Sequence, residues 1–109
     1  MLIDFNSMEE HTISHMNGGD GTISAKMFMN SSGKVIVSRI FPGSSIGLHT
    51  QGNGNDINFV ISGTGKAICD GVEETLTAGT CHYCPKGSSH AIMNTGAEDL
   101  VLYTVVQEI

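Results

Sequence analysis

Fourteen glycines and only two prolines run through this 109-residue chain, and they separate short stretches rich in Val, Ile, Phe, Tyr and Thr. A turn signal about every 8–12 residues between such stretches is the pattern of an all-β domain made of many brief strands. The sequence predicts strands near 22–29, 34–41, 46–51, 57–62, 65–70, 73–78, 80–84, 89–94 and 100–107. Pro42-Gly43, Asn53-Gly54, Gly63-Thr64-Gly65, Asp70-Gly71 and Pro85-Lys86-Gly87 supply the reversals, with Asp70-Gly71 the strongest hairpin signal. No segment sustains a helical period, and residues 7–15 alone read as a short helical turn. Strands this numerous must cover their edges, so a jelly roll or closed barrel is the expected architecture.

The length fits one domain, 1–109, with neither linker nor internal repeat. The formal net charge is −6, and the five basic residues, Lys26, Lys34, Arg39, Lys66 and Lys86, are scattered. Phosphate backbones and anionic lipids call for clustered basic residues, so nucleic acid and membrane are not expected partners. No apolar run approaches the roughly 20 residues of a membrane span, and Met1-Leu2-Ile3-Asp4 does not open a signal peptide. A cytoplasmic location, with Cys69, Cys81 and Cys84 reduced, is the expectation. The last strand, 100–107, is apolar on both alternating faces. It is therefore sandwiched within its own domain or packed on a second subunit, most commonly as a twofold homodimer.

Two stretches carry the chemistry. His49 and Gln51 lie two apart on a strand and leave the same face. Gly52-Asn53-Gly54-Asn55 then reverses the chain, and a hairpin there would bring Asp56 across from them, with Asn58 on the same face as Asp56. Further on, the strand 80–84 runs into Pro85-Lys86-Gly87, and His90 opens the next strand, with Ile92 and Asn94 on its face. His49, Asp56 and His90 are the inventory of a 2-His-1-carboxylate metal site with open positions, and Gln51 can add a carbonyl oxygen.

The second stretch, Gly79-x5-Pro85-x-Gly87-x2-His90-x3-Asn94, resembles the second cupin motif at every defined position. The first, from 43 to 65, resembles cupin motif one, G-x5-H-x-H-x(3,4)-E-x6-G, through Gly43, His49 and Gly63. The motifs, 43–65 and 79–94, lie within residues 43–94, about half the chain. The resemblance implies a small single-domain cupin, a double-stranded β-helix with one divalent metal, Fe, Mn, Ni or Zn, in the barrel mouth. The usual four ligand positions fall on His49, Gln51, Asp56 and His90. Gln51 replaces the family's second histidine and Asp56 its glutamate, and Asp is shorter than Glu by about 1.5 Å, one C–C bond.

Four further residues are candidates for contacting a substrate: Asn58, His82, Tyr83 and Arg39. Alternation in Cys81-His82-Tyr83-Cys84 turns either His82 and Cys84 or Cys81 and Tyr83 inward. Arg39 would clamp a carboxylate if it pointed inward, whereas a rim salt bridge is the commoner role. The C-x-x-C spacing of Cys81 and Cys84 lies in a strand, where positions i and i+3 are on opposite faces about 10 Å apart, too far for a disulfide. His11 and His15 have helical metal spacing but no second ligand pair, and read as solvated. Cupins include dioxygenases, isomerases, decarboxylases and non-catalytic binders, so the fold leaves the reaction open. Two expectations follow: a metalloenzyme acting on a small polar organic molecule, or a binding or sensing module using the same pocket.

Overall fold

The computed structural model describes all of residues 1–109, and ten strands account for most of them. They are β1 (His11–Ser14), β2 (Thr22–Asn30), β3 (Gly33–Ile40), β4 (Ser45–Thr50) and β5 (Gly54–Ser62), then β6 (Thr64–Cys69), β7 (Val72–Thr77), β8 (Cys81–Cys84), β9 (Ser89–Asn94) and β10 (Leu100–Glu108). Nine match the strands expected from sequence. The tenth, β1, corrects the reading of 7–15 as a helical turn. Thr12 and Ile13 are β-branched and pair with Ser24 and Ile23 on β2, so an available sheet edge decides their conformation. Short 3-10 turns occur instead at Phe5–Ser7 and Met16–Gly18.

The strands form two antiparallel sheets, one in the order β1-β2-β3-β10-β5-β8 and the other β4-β9-β6-β7. This is the jelly-roll solution, two facing sheets that enclose a barrel. Ile23, Ile40, Val60, Ala67, Leu76, Ile92, Leu100 and Leu102 form one buried cluster between them. Burying a side chain of this size contributes about 1.5–3 kcal/mol, so the cluster is the chief source of cohesion. Asp70-Gly71 makes the β6–β7 hairpin, with both residues at positive φ (48° and 81°) and Cys69 opposite Val72. That is the backbone a two-residue type I′ turn requires.

The β4–β5 connection departs from expectation. β4 pairs with β9, while β5 pairs with β10 and β8 in the opposite sheet, so 51–53 carry the chain between sheets and do not close a hairpin. Its backbone is tied to the second crossing at 85–88: Gln51 N–H donates to Ser88 O (2.9 Å) and Gly87 N–H donates to Gln51 O (2.7 Å). The two motif segments thus meet at one end of the barrel. Asn94 braces the other end of β9, donating to Ile40 O (2.8 Å) and Glu98 O (2.7 Å) and accepting from Gly96 N–H.

β10 lies at the centre of the six-stranded sheet. Leu100, Leu102 and Thr104 face the barrel, whereas Tyr103 and Val105 are exposed on the outer face. Within the chain, Phe5 contacts Tyr103 edge-on at 5.9 Å, and no second layer of the domain covers this strand.

Candidate metal centre

His49, Asp56 and His90 come from three strands and two sheets, and they converge inside the tied end of the barrel. Their ligand atoms all lie within 4.8 Å of one another. His90 Nε2 is 3.1 Å from His49 Nε2 and 3.1 Å from Asp56 Oδ2. Asp56 reaches the site because it projects across the barrel from the facing sheet. The shorter side chain is therefore no obstacle.

Each donor is aimed by its local structure. The β4–β9 register slips between Ile46 and His49, so β4 is bulged at Gly47-Leu48. The Gly47 carbonyl accepts from His49 Nδ1–H at 2.8 Å. A carbonyl can only accept, so Nε2 of neutral His49 carries the lone pair that faces the site. Gly47 is required here because the backbone of Asn17 and Gly19 presses directly on the space a Cβ would occupy. His90, fully buried, has Nδ1 at 2.9 Å from His82 Nε2.

The donor set suits a divalent cation. Two imidazoles and a carboxylate leaving open coordination positions is the facial-triad inventory. Two nitrogen ligands, each about 2.1 Å from a common ion at roughly a right angle, would lie about 3 Å apart. Asp56 is buried, and its Oδ1 has no hydrogen-bond partner. A buried carboxylate oxygen without a partner is costly unless a cation compensates it. When bound, such an ion would polarise an oxygen ligand placed in its open positions.

The three donors open into a cavity of about 340 Å³. Ile23, Ile36, Ile46, Ile92 and Leu102 supply apolar walls, and Gln51, Asn58 and Thr104 supply neutral polar groups. Asn58 is buried and accepts from Thr104 Oγ1 at 2.7 Å. Outside the donors, the titratable groups on the lining are Lys34 and Glu108, near the ends of β3 and β10.

The remaining candidates lie elsewhere. His82 faces inward but sits behind His90 and does not line the cavity. Tyr83, its neighbour in the alternation, is exposed on the opposite face. Arg39 is on the outside too. It makes a two-pronged pair with Glu10 (2.6 and 3.2 Å), reaches Asp99 at 3.0 Å and stacks over Phe41. Hydrogen bonding from Arg39 holds the Glu10 carboxyl below its usual range. Tyr83 and Arg39 thus occupy outward positions of their strands and are not part of the cavity lining. Cys81 is exposed and Cys84 buried, and all three cysteines are free. Burial, with the nearby Cys69 thiol adding to it, pushes Cys84 up to about 12, so it stays protonated and packs as a small hydrophobe.

One contact escaped the sequence reading altogether. Glu74 Oε1, on β7, is 2.6 Å from His82 Nδ1. Its only sequence signal is a charged residue in a strand.

Fold and donor set together define a double-stranded β-helix able to hold a metal in its mouth. The chain belongs to the cupin family: residues 36–106 match the description "Cupin domain". It is similar to a Thermotoga maritima protein described as an oxalate-binding protein, 29% identical over 112 residues, covering 97% of this chain and 93% of the relative. A crystal structure from Thermotoga maritima, described as a predicted oxalate decarboxylase, superposes with a TM-score of 0.93 at 26% identity over 100% of both chains. An RmlC-like cupin from Shewanella frigidimarina shares the fold at a TM-score of 0.79 and 17% identity, covering 95% of this chain and 86% of that one.

Proposed function

We propose that this cupin binds a small organic acid through one divalent metal held by His49, Asp56 and His90, with the Gln51 side chain as a fourth ligand. The observation that carries the reading is the convergence of two ring nitrogens and a buried carboxylate on one point within 4.8 Å. The donor set brings one negative charge to an ion with two positive charges. The surplus charge favours an anionic ligand in the open positions. The two Thermotoga maritima relatives, described by oxalate binding and predicted oxalate decarboxylation, support that class. Oxalate supplies the chelating oxygens but no apolar part. The isoleucine and leucine walls favour an acid that also carries a short hydrocarbon body.

Binding is preferred over turnover because, beyond the three donors, the cavity offers only Lys34 and Glu108 as proton-transfer groups. Calorimetry with oxalate and with a branched 2-oxo acid tests the reading. Metal-loaded protein is expected to bind both, the 2-oxo acid more tightly, and chelator-treated protein neither. Equal binding after metal removal would contradict the metal's role. Release of carbon dioxide or consumption of oxygen would replace the binding reading with the enzymatic one.

We also propose that a second copy covers the outer face of the six-stranded sheet. Phe59, Tyr83, Tyr103 and Val105 are exposed there, and Phe59 stands directly opposite Tyr103 in the β5–β10 register. Contiguous exposed aromatic and aliphatic surface of this kind favours an isologous contact. Sedimentation should give a dimer that Tyr103→Lys converts to monomer, and a wild-type monomer at high micromolar concentration would remove the proposal.

A further inference from the structure

The row Glu74–His82–His90 extends behind the metal site to the surface. β7 is an edge of the four-stranded sheet and β8 an edge of the six-stranded one, so Glu74 and His82 meet across the seam of the barrel. The Glu74 side chain is 41% exposed, whereas His82 and His90 are both 0% exposed. The two rings stack at 5.1 Å with 27° between their planes. The row is short, 2.6 Å and then 2.9 Å, and its two inner members are fully buried.

The direction of its hydrogen bonds follows from donor and acceptor chemistry. The Glu74 carboxylate can only accept, so His82 Nδ1 carries the proton. With the imidazole neutral, His82 Nε2 holds a lone pair and accepts from His90 Nδ1–H. His90 Nε2 is then left bare, facing Asp56 and His49. We propose that Glu74 and His82 are positioning residues for the metal site, holding His90 in the tautomer and orientation that offer Nε2 to a divalent cation. His49 reaches the same state through the Gly47 carbonyl. His90 Nδ1 contacts no hydrogen-bond partner other than His82, and on the other side of the ring Asp56 Oδ2, 3.1 Å from Nε2, favours the Nε2–H form, so the row is what favours Nδ1–H. Partners of this kind around a ligating histidine typically change metal affinity by about 10- to 100-fold.

The proposal rests on the metal reading above, and its test has a part that needs no metal. Long-range nitrogen–proton spectra of metal-free protein at about pH 8, above the ordinary histidine range, report each ring's tautomer. His90 is expected in the Nδ1–H form in wild type and to shift toward a mixture in Glu74→Ala and His82→Phe. Zinc competition against a chromophoric chelator should then show both variants weakened by about 10- to 100-fold. Glu74→Gln, whose amide oxygen still accepts from His82, should stay close to wild type in both measurements. Wild-type zinc affinity in Glu74→Ala and His82→Phe would overturn the proposal. If wild type takes up none of zinc, iron, manganese or nickel, the metal reading fails, and an unshifted His90 tautomer in Glu74→Ala would sink the positioning role separately. Should His82→Phe not fold, Glu74→Ala carries the test, since it alters a partly exposed side chain.

Discussion

His49 and His90 face one another across 3.1 Å, yet they are held in unlike ways. His90 is wholly buried and is backed by a side-chain row that ends at Glu74. His49 is half-buried and is backed by a main-chain carbonyl on a bulge. One half of the mouth is aimed by side chains and the other by backbone. A single substitution can remove the first support directly, whereas the second yields only if the bulge itself moves.

Replacing the histidines themselves should separate the halves most strongly. His49→Ala and His90→Ala are both expected to abolish stoichiometric metal binding. They should differ in stability without metal. His90→Ala leaves a buried cavity and strips His82 Nε2 of its partner, so it is expected to cost about 2–5 kcal/mol in denaturant unfolding. His49→Ala, at the half-exposed rim, should cost clearly less. Equal losses would mean that the two halves are not supported differently.

Gly47→Ala probes the backbone-supported half without touching a ligand. Its Cβ would collide with the Asn17 carbonyl, so either the Met16–Gly19 segment or the bulge must shift. Metal affinity is expected to fall by about tenfold with the fold retained, in keeping with a displaced but intact ligand. Unchanged affinity by chelator competition would show that His49 is aimed by something other than the bulge.

The smallest effect belongs to Arg39, outside the mouth. Because pairing depresses the Glu10 carboxyl, its contribution is present above the ordinary carboxylate pKa and is lost as pH falls through the depressed folded value. Arg39→Ala should lower Tm slightly near neutrality and leave metal affinity unchanged, and the difference from wild type should shrink in acid. A drop in metal affinity would place Arg39 in contact with the mouth after all.

The barrel was legible because glycine-bounded, β-branched stretches specify short strands locally, and the Asp70-Gly71 hairpin formed where its turn chemistry places it. The convergence of His49, Asp56 and His90 was legible because their spacing sits in two recognisable stretches. What escaped depended on long-range pairing. Gly52-Asn53-Gly54 has the same local chemistry whether it closes a hairpin or crosses between sheets, and only the pairing of β4 with β9 and β5 with β10 decides it. β1 is four residues long, too short to display a period of its own. Glu74 meets His82 across a seam between sheets, a contact that strand alternation alone does not encode.

The central claim is that His49, Asp56 and His90 together hold one divalent metal. Elemental analysis of untagged protein after reconstitution with iron, manganese, nickel or zinc tests it most directly, beside Asp56→Asn, which keeps the shape of the side chain and removes its charge. The account predicts one tightly held equivalent per chain for at least one of these metals, and none retained by Asp56→Asn through the same desalting. Wild type retaining well under one equivalent of every metal, or Asp56→Asn retaining as much as wild type, would contradict it.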